Sequence, residues 1–249
     1  MNTRILFKST FAAVMAGTLS LSFILSGCAG QSIQSPTKNP SGFLPDYSLL
    51  QPISNAPKGS EIYMYKAPDV SRGDYRAVLI EPVSVYQNQA ALNNALSAAQ
   101  SPADQEKIKA DFAKEQANAQ SIQATIQAGI ESVVSQKMPL VNSAGPRVAK
   151  LSVAITGAML ETEGFKPWNI IPVSAVITLA SNASGKNSKT PAVMVELKFT
   201  DSQTGKLLKE VVTVIRGDSF RSEDNSSQAF ADLAKQWVQE AMTYSASQH

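Results

Sequence analysis

The apolar residues of this chain change period once, at Pro139, and that change limits the fold more than any other feature. Before it, Ile108, Phe112, Ala119, Ile122, Ile126, Ile130, Val133 and Val134 recur at the spacings of a single helical face. Beyond it the pattern alternates. Leu151, Val153 and Ile155 are interleaved with Ser152, Ala154 and Thr156, and the same rhythm recurs in Val173, Ala175, Ile177 and Leu179 and in Val193, Val195, Leu197 and Phe199. Successive strand side chains point to opposite faces, so each run is predicted to place one face on a core and the other toward water.

Local signals bound these elements. Ser101-Pro102-Ala103-Asp104 supplies an N-cap, a proline at the first helical position and an acid three residues after the cap. Pro139 stops the long helix, and Ala91 to Ala99, carrying Leu92 and Leu96, reads as a separate short helix before it. Asp201-Ser202-Gln203-Thr204-Gly205 is a turn, from which Leu207 to Ile215 returns antiparallel. Ser181 to Thr190 reads as a polar loop. Phe230, Leu233, Ala234, Trp237, Val238 and Ala241 make the stripe of a closing helix, with Asn225 or Ser226 placed to cap it.

Upstream, Ala77 to Val85 is a strand whose run of apolar residues points to burial on both faces, and Pro82 marks a bulge or an unpaired edge. Gly42 to Pro68 sets aromatic residues among four prolines, which predicts an ordered, extended arm with a short strand near Ile62 to Tyr65. Together the elements predict an α+β fold. A single, mostly antiparallel sheet carries the long helix and the C-terminal helix on one face.

The N-terminus reads as an address. Arg4 and Lys8 precede an apolar run from Thr10 to Leu25, and small residues Ser26 and Gly27 follow, as in a secretory signal spanning residues 1–27. That run is shorter than the ~20 residues a membrane-spanning helix needs. Cys28, the one cysteine of the 249 residues, comes next. Leu25-Ser26-Gly27-Cys28 resembles the lipobox of bacterial lipoproteins. The resemblance implies that the Cys28 thiol carries a diacylglycerol, and that cleavage before it frees an amino group for acylation by a palmitate-type chain. One acyl chain binds a membrane only marginally; several on one residue anchor it. Ala29 and Gly30, with no Asp after the cysteine, resemble outer-membrane rather than inner-membrane sorting in a Gram-negative host.

Residues 28–41, rich in Gln, Ser and Pro, form a flexible tether with a reach of ~20 Å, and residues 42–245 read as one domain. Two of the 22 basic residues lie in the signal, leaving 20 against 20 acidic ones, so neither nucleic acid nor an anionic surface is implied as a partner. With its single cysteine acylated, the chain can form no internal disulfide and must hold by its core.

Three stretches, in this order after the lipobox, carry a family resemblance. They are Ser41-Gly42-Phe43-Leu44-Pro45-Asp46-Tyr47-Ser48, Tyr75-Arg76-Ala77-Val78-Leu79-Ile80-Glu81-Pro82-Val83 and Asp201-Ser202-Gln203-Thr204-Gly205. They resemble the bacterial lipoproteins grouped as domain of unknown function 3313, from about Ser41 to Tyr244. The resemblance implies location and fold and carries no activity.

Catalytic constellations are sparse. The single histidine is His249, which removes histidine triads and histidine zinc sites, and no cofactor or metal is expected. Glu161 and Glu163 share a face at strand spacing beside Trp168, an arrangement that could act on a glycan. Trp168 and Trp237 read as packing residues. The sequence therefore predicts a non-enzymatic lipoprotein of the outer membrane, held by membrane lipid through Cys28 on the periplasmic side, with a binding or scaffolding role. Two readings compete with it: an envelope hydrolase of glycan or peptidoglycan fragments using Glu161 and Glu163, and a structural subunit docking an envelope protein partner.

Overall fold

The alternating runs pair with one another as their period requires. In the computed structural model, which describes residues 40–57, 59–86, 89–162, 189–219 and 226–247, three long strands form an antiparallel centre. These are β6 (Val148–Thr162), β7 (Lys189–Asp201) and β8 (Leu207–Arg216). On one side of them lie β2 (Ser60–Lys66), antiparallel to β8, and β1 (Gln51–Pro52) at the edge. On the other, β3 (Ala77–Ile80) runs parallel to β6 and to β5 (Leu140–Val141), and β4 (Ser84–Val85) also pairs with β6. The sheet is thus mixed, with its long pairings antiparallel.

The predicted strand over Ala77 to Val85 is two short ones, with Pro82 in the gap between them. The backbone in this gap finds its missing partners on the long helix. The Val83 N–H donates to Gln127 Oε1 at 2.6 Å, and Gln123 Nε2 donates to the Val83 carbonyl. A buried backbone group needs such a partner, and side-chain amides supply both a donor and an acceptor. Val78 and Val83 are buried, whereas Ala77, Leu79 and Ile80 are only partly so.

Three helices complete the described fold: α1 (Gln89–Ala98), α2 (Pro102–Ser135) and α3 (Ser226–Ser247). The α2 start follows the sequence signal, with the Asp104 N–H donating to Ser101 Oγ at 3.1 Å. Its stripe of Ile108, Ala119, Ile122, Ile126 and Ile130 is buried. Ser226 is the first residue of α3, and Asn225 lies outside the described residues. Phe230, Leu233 and Ala234 of α3 join Ile122, Ile126 and the sheet in one cluster. Gly129 lets α2 and α3 approach: a Cβ there would sit 2.1 Å from Val238 Cγ2.

One expectation fails in an instructive way. Alternation predicts that each strand shows one face to water; instead β6 is buried at every residue from Leu151 to Met159. The second face is covered by the arm, whose Leu44, Tyr47 and Leu50 pack on Tyr63, Met159, Met194, Val212 and Val214. Ser41, predicted as the end of the tether, is already buried, and Lys189 and Thr190, predicted as loop, begin β7. The Asp201 turn forms as predicted, its Oδ1 accepting from the N–H groups of Gln203 at 3.1 Å and Thr204 at 2.8 Å, with Gly205 at φ +73°.

The predicted strand Val173 to Leu179, Trp168 and the signal and lipobox residues lie outside the described residues. Among the described residues, no helix is long and apolar enough to cross a membrane.

Candidate functional site

Two places collect the polar and concave features of the fold. The first is a groove on the helix side. There α2 packs over β6, and α3 over β7 and β8. Beyond α3 the outer strands β8 and β2 run on uncovered, leaving a cavity of about 640 Å³. Its floor is Leu197 of β7, Val211 of β8 and Ile62 of β2, which share the sheet face that the helices cover. Val133 of α2, Met138 just beyond it, and Trp237 and Ala241 of α3 also line it. Trp237 is partly buried and packs against the core, as its place on the stripe predicts, and it also lines this cavity.

The lining also carries charge. Arg76, Lys137 and Glu240 belong to it, as does Tyr75. The loop carrying Arg76 is fixed, since its N–H donates to the Arg147 carbonyl at 2.8 Å and Tyr75 Oη donates to Asp201 Oδ2 at 3.1 Å. Volume, apolar lining and a few placed polar groups match the form of small-molecule sites, which run from roughly 300 to 1,000 Å³.

The second place is a set of buried carboxyls. Between Ile155 and Gly157 the β6–β7 register shifts, so Thr156 is the extra residue of a bulge. Thr156 Oγ1 donates to Glu196 Oε1 at 2.9 Å, while Tyr47 Oη of the arm donates to Glu196 Oε2 at 2.6 Å. Tyr47 Oη also accepts the N–H groups of Gly42 and Leu44, both at 3.2 Å. One phenol thus closes the arm on itself and pins it to the sheet. On the opposite face of the bulge, the Ala158 N–H donates to Glu115 Oε1 of α2 at 3.3 Å.

Burial acts on all three acids in one direction. It pushes the Glu115 carboxyl up to about 8, against the pull of the Ala158 N–H. Glu210, on the arm side of β8, is pushed up to about 7; neither of its oxygens has a hydrogen-bond partner of normal geometry, and the Asp46 backbone N–H offsets burial only weakly. Burial also raises Glu196, opposed by the hydroxyls around it. These acids sit under the arm or between helix and sheet, where a substrate cannot reach them, so their work is structural.

The acidic pair read from the sequence falls at the edge of the described residues. Glu161 lies near the end of β6, opposite Thr190, and Glu163 lies outside the described residues. Among the described residues, no group of three or more His, Cys, Asp or Glu side chains is placed to hold a metal. Glu81, just past the end of β3, accepts from Ser152 Oγ and pairs with Lys150 at 3.3 Å.

Sequence reading misses the three buried acids for different reasons. Glu115 leaves a signal: it fills the vacant position between Phe112 and Ala119 in the α2 stripe. Glu196 and Glu210 leave none, because each occupies a face that reads as solvent until the arm is in place.

Several known proteins are similar to this chain. The uncharacterized lipoprotein YdcL of Escherichia coli K12 is 27% identical over 229 residues, covering 89% of this chain and 91% of that one. Among solved structures, a PelC dodecamer from Paraburkholderia phytofirmans covers 74% of this chain and 97% of its own at 13% identity, with a TM-score of 0.24. A minor lipoprotein from Acinetobacter baumannii covers 70% and 95% at 8% identity, with a TM-score of 0.29. A family model, protein of unknown function DUF3313, matches residues 39–241, which takes in the arm, the sheet and the helices up to Ala241. By that match the chain belongs to the DUF3313 family, as its three motifs imply.

Proposed function

We propose that this protein is a lipid-anchored lipoprotein of the cell envelope, held at the outer membrane on its periplasmic side by acylated Cys28, with a non-enzymatic binding role. The groove beneath Trp237 carries this reading. It is concave and mainly apolar with a few charged residues in its lining, the form a binding site takes, whereas the buried acids of the fold are sealed from substrate. The lipobox Leu25-Ser26-Gly27-Cys28 and a relative that is itself a lipoprotein support the anchor. Residues 28–40 then serve as the tether, and the domain held beside the membrane begins at the buried Ser41 and runs to residue 245.

The anchor is tested by intact mass and fractionation in the native host. Added acyl mass on a chain beginning at Cys28, and release of a Cys28→Ala variant from the outer-membrane fraction, are expected; an unacylated, soluble wild type overturns it. The binding role is tested by native mass spectrometry of protein extracted from its own envelope. A stoichiometric small molecule lost on Ala241→Phe, which places a ring in the groove, is the expected result. Protein that emerges bare and turns over glycan fragments in a Glu161- and Glu163-dependent way would replace this reading with the hydrolase.

A further inference from the structure

We propose that residues 41–50 are a releasable strap. They leave the sheet as a unit while the rest of the fold stays closed, and loss of the Glu210 proton beneath them drives the release.

The arm is attached in a way that permits this. Residues 41–50 form no strand and join no ladder of the sheet, so lifting them breaks none of its ladder hydrogen bonds. Side chains hold them down. Leu44, Tyr47 and Leu50 pack on the apolar residues below, the Tyr47 phenol bonds Glu196, and Phe43 meets Tyr86 edge-on with ring centroids 5.7 Å apart. The strap is also tied to itself. Tyr47 Oη accepts from the N–H groups of Gly42 and Leu44 and lies 2.8 Å from the Ser41 hydroxyl. Those contacts travel with the strap, so it comes away as one piece.

The groups around Glu210 decide which state wins. Tyr65 of β2 and Lys198 of β7 stand directly opposite it in the ladders, and Glu196 lies two residues from Lys198 on the same face. The strap brings Asp46 and Tyr47 and contains no lysine or arginine. Glu210 is fully buried, and neither of its oxygens has a hydrogen-bond partner of normal geometry. Burial pushes its carboxyl up to about 7; the Asp46 and Glu196 charges add to this, while the Asp46 N–H and Lys198 oppose it. Lys198 is the natural partner for a carboxylate here, yet its Nζ lies 5.0 Å from the centroid of the Phe43 ring, a cation–π contact with the strap itself. The closed form thus keeps Glu210 neutral and Lys198 on Phe43. In the open form water reaches Glu210, the carboxyl ionises, and Lys198 is released to pair with it across the ladder. A switch requires two such arrangements of the same side chains, biased by one charge.

The sign follows from the two environments of the carboxyl. An acid that titrates near 7 when covered and near its ordinary 4.5 when wet favours the closed form at low pH. Opening grows between those values and levels off above 7. From pH 5 to pH 8 the opening equilibrium should rise about 70-fold. Release uncovers Tyr63, Met159, Met194, Val212 and Val214, a second apolar face. With Cys28 as the anchor it also lengthens the tether by the strap, a consequence that rests on that reading as the opening itself does not.

Hydrogen exchange of the full chain, read by mass spectrometry from pH 5 to pH 8 and corrected for intrinsic rates, tests the strap. Protection over residues 41–50 should fall about 70-fold and stay well below that of β7 at every pH, the mark of opening short of global unfolding. Glu210→Gln, which cannot ionise, should remove most of the fall. Should that variant fail to fold, Asp46→Asn on the exposed side of the strap carries the test. It removes the facing charge, keeps an oxygen for Ser48, and should reduce the fall by a few-fold. Three outcomes overturn the proposal: a flat profile in the wild type, protection of the strap equal to that of β7, or a fall that persists in full in the substituted chain. None of them bears on the groove or the anchor, which are read by bound ligand and by acyl mass.

Discussion

The helix-covered face of the sheet meets Ile122, Ile126, Phe230 and Leu233, four side chains that are at most 2% exposed and carry no polar atom. The other face meets about ten residues of arm, and between arm and sheet lie Glu196 and Glu210, both fully buried. The helix face is held mainly by area, each buried large apolar side chain contributing ~1.5–3 kcal/mol. The arm is too short to supply such area, and its seat depends on a directional contact, Tyr47 to Glu196. The contrast teaches that apolar packing of this kind can leave a groove where it ends, whereas a polar latch fixes one register and leaves no slack.

Breaking the apolar face should cost most. Phe230→Ala removes a ring that is 0% exposed and is expected to lower unfolding free energy by about 3–5 kcal/mol in urea denaturation. A loss below ~1 kcal/mol would mean that α3 is not part of this core.

The pH dependence separates the faces next. Glu115 titrates near 8 and Glu210 near 7 in the folded protein, above the ordinary 4.5 of the unfolded chain. Between those values the folded state holds protons that the unfolded state has released. Stability is therefore greatest at about pH 5 and falls as pH rises toward 8, by an amount on the order of a few kcal/mol. Glu115→Gln should flatten the part contributed by the helix side, and Glu210→Gln the part contributed by the arm side. Urea midpoints that rise from pH 5 to pH 8 would contradict both.

Smaller effects sharpen the comparison. Gly129→Ala forces a methyl into Val238 and should destabilise by about 1–3 kcal/mol through the α2–α3 contact, leaving the arm protected in hydrogen exchange. Tyr47→Phe keeps the ring and loses the bond to Glu196, costing about 1 kcal/mol and raising exchange over residues 41–50 while α2 stays protected. Equal deprotection of both regions would show that the two faces unfold as one unit.

Element type was legible wherever period and punctuation agreed. The Ser101 cap, the α2 stripe and the Asp201 turn are local devices, each written within a few residues, and each forms as its spacing requires. The strand over Ala77 to Val85 was legible in kind but not in detail, because its break at Pro82 is repaired by Gln123 and Gln127, some forty residues away. The groove was not legible. Its apolar lining is gathered from β2, β7, β8, α2 and α3, and Ile62, Leu197, Val211, Val133 and Trp237 do not differ in type from core residues. Trp237 reads as packing from its stripe and packs as read; only the place where β2 and β8 outrun α3 turns it into a wall.

The sequence by itself determined the helix and strand periods, the turn chemistry and the family motifs, since each depends on residues close together in the chain. Only the tertiary structure decided which surfaces face water. Alternation tells that a strand has two unlike faces, but exposure is a property of what lies across from them. Residues 41–50 crossing the sheet turn Glu196 and Glu210 from ordinary surface acids into buried ones. The end of α3 leaves apolar residues of the neighbouring strands lining an open cavity.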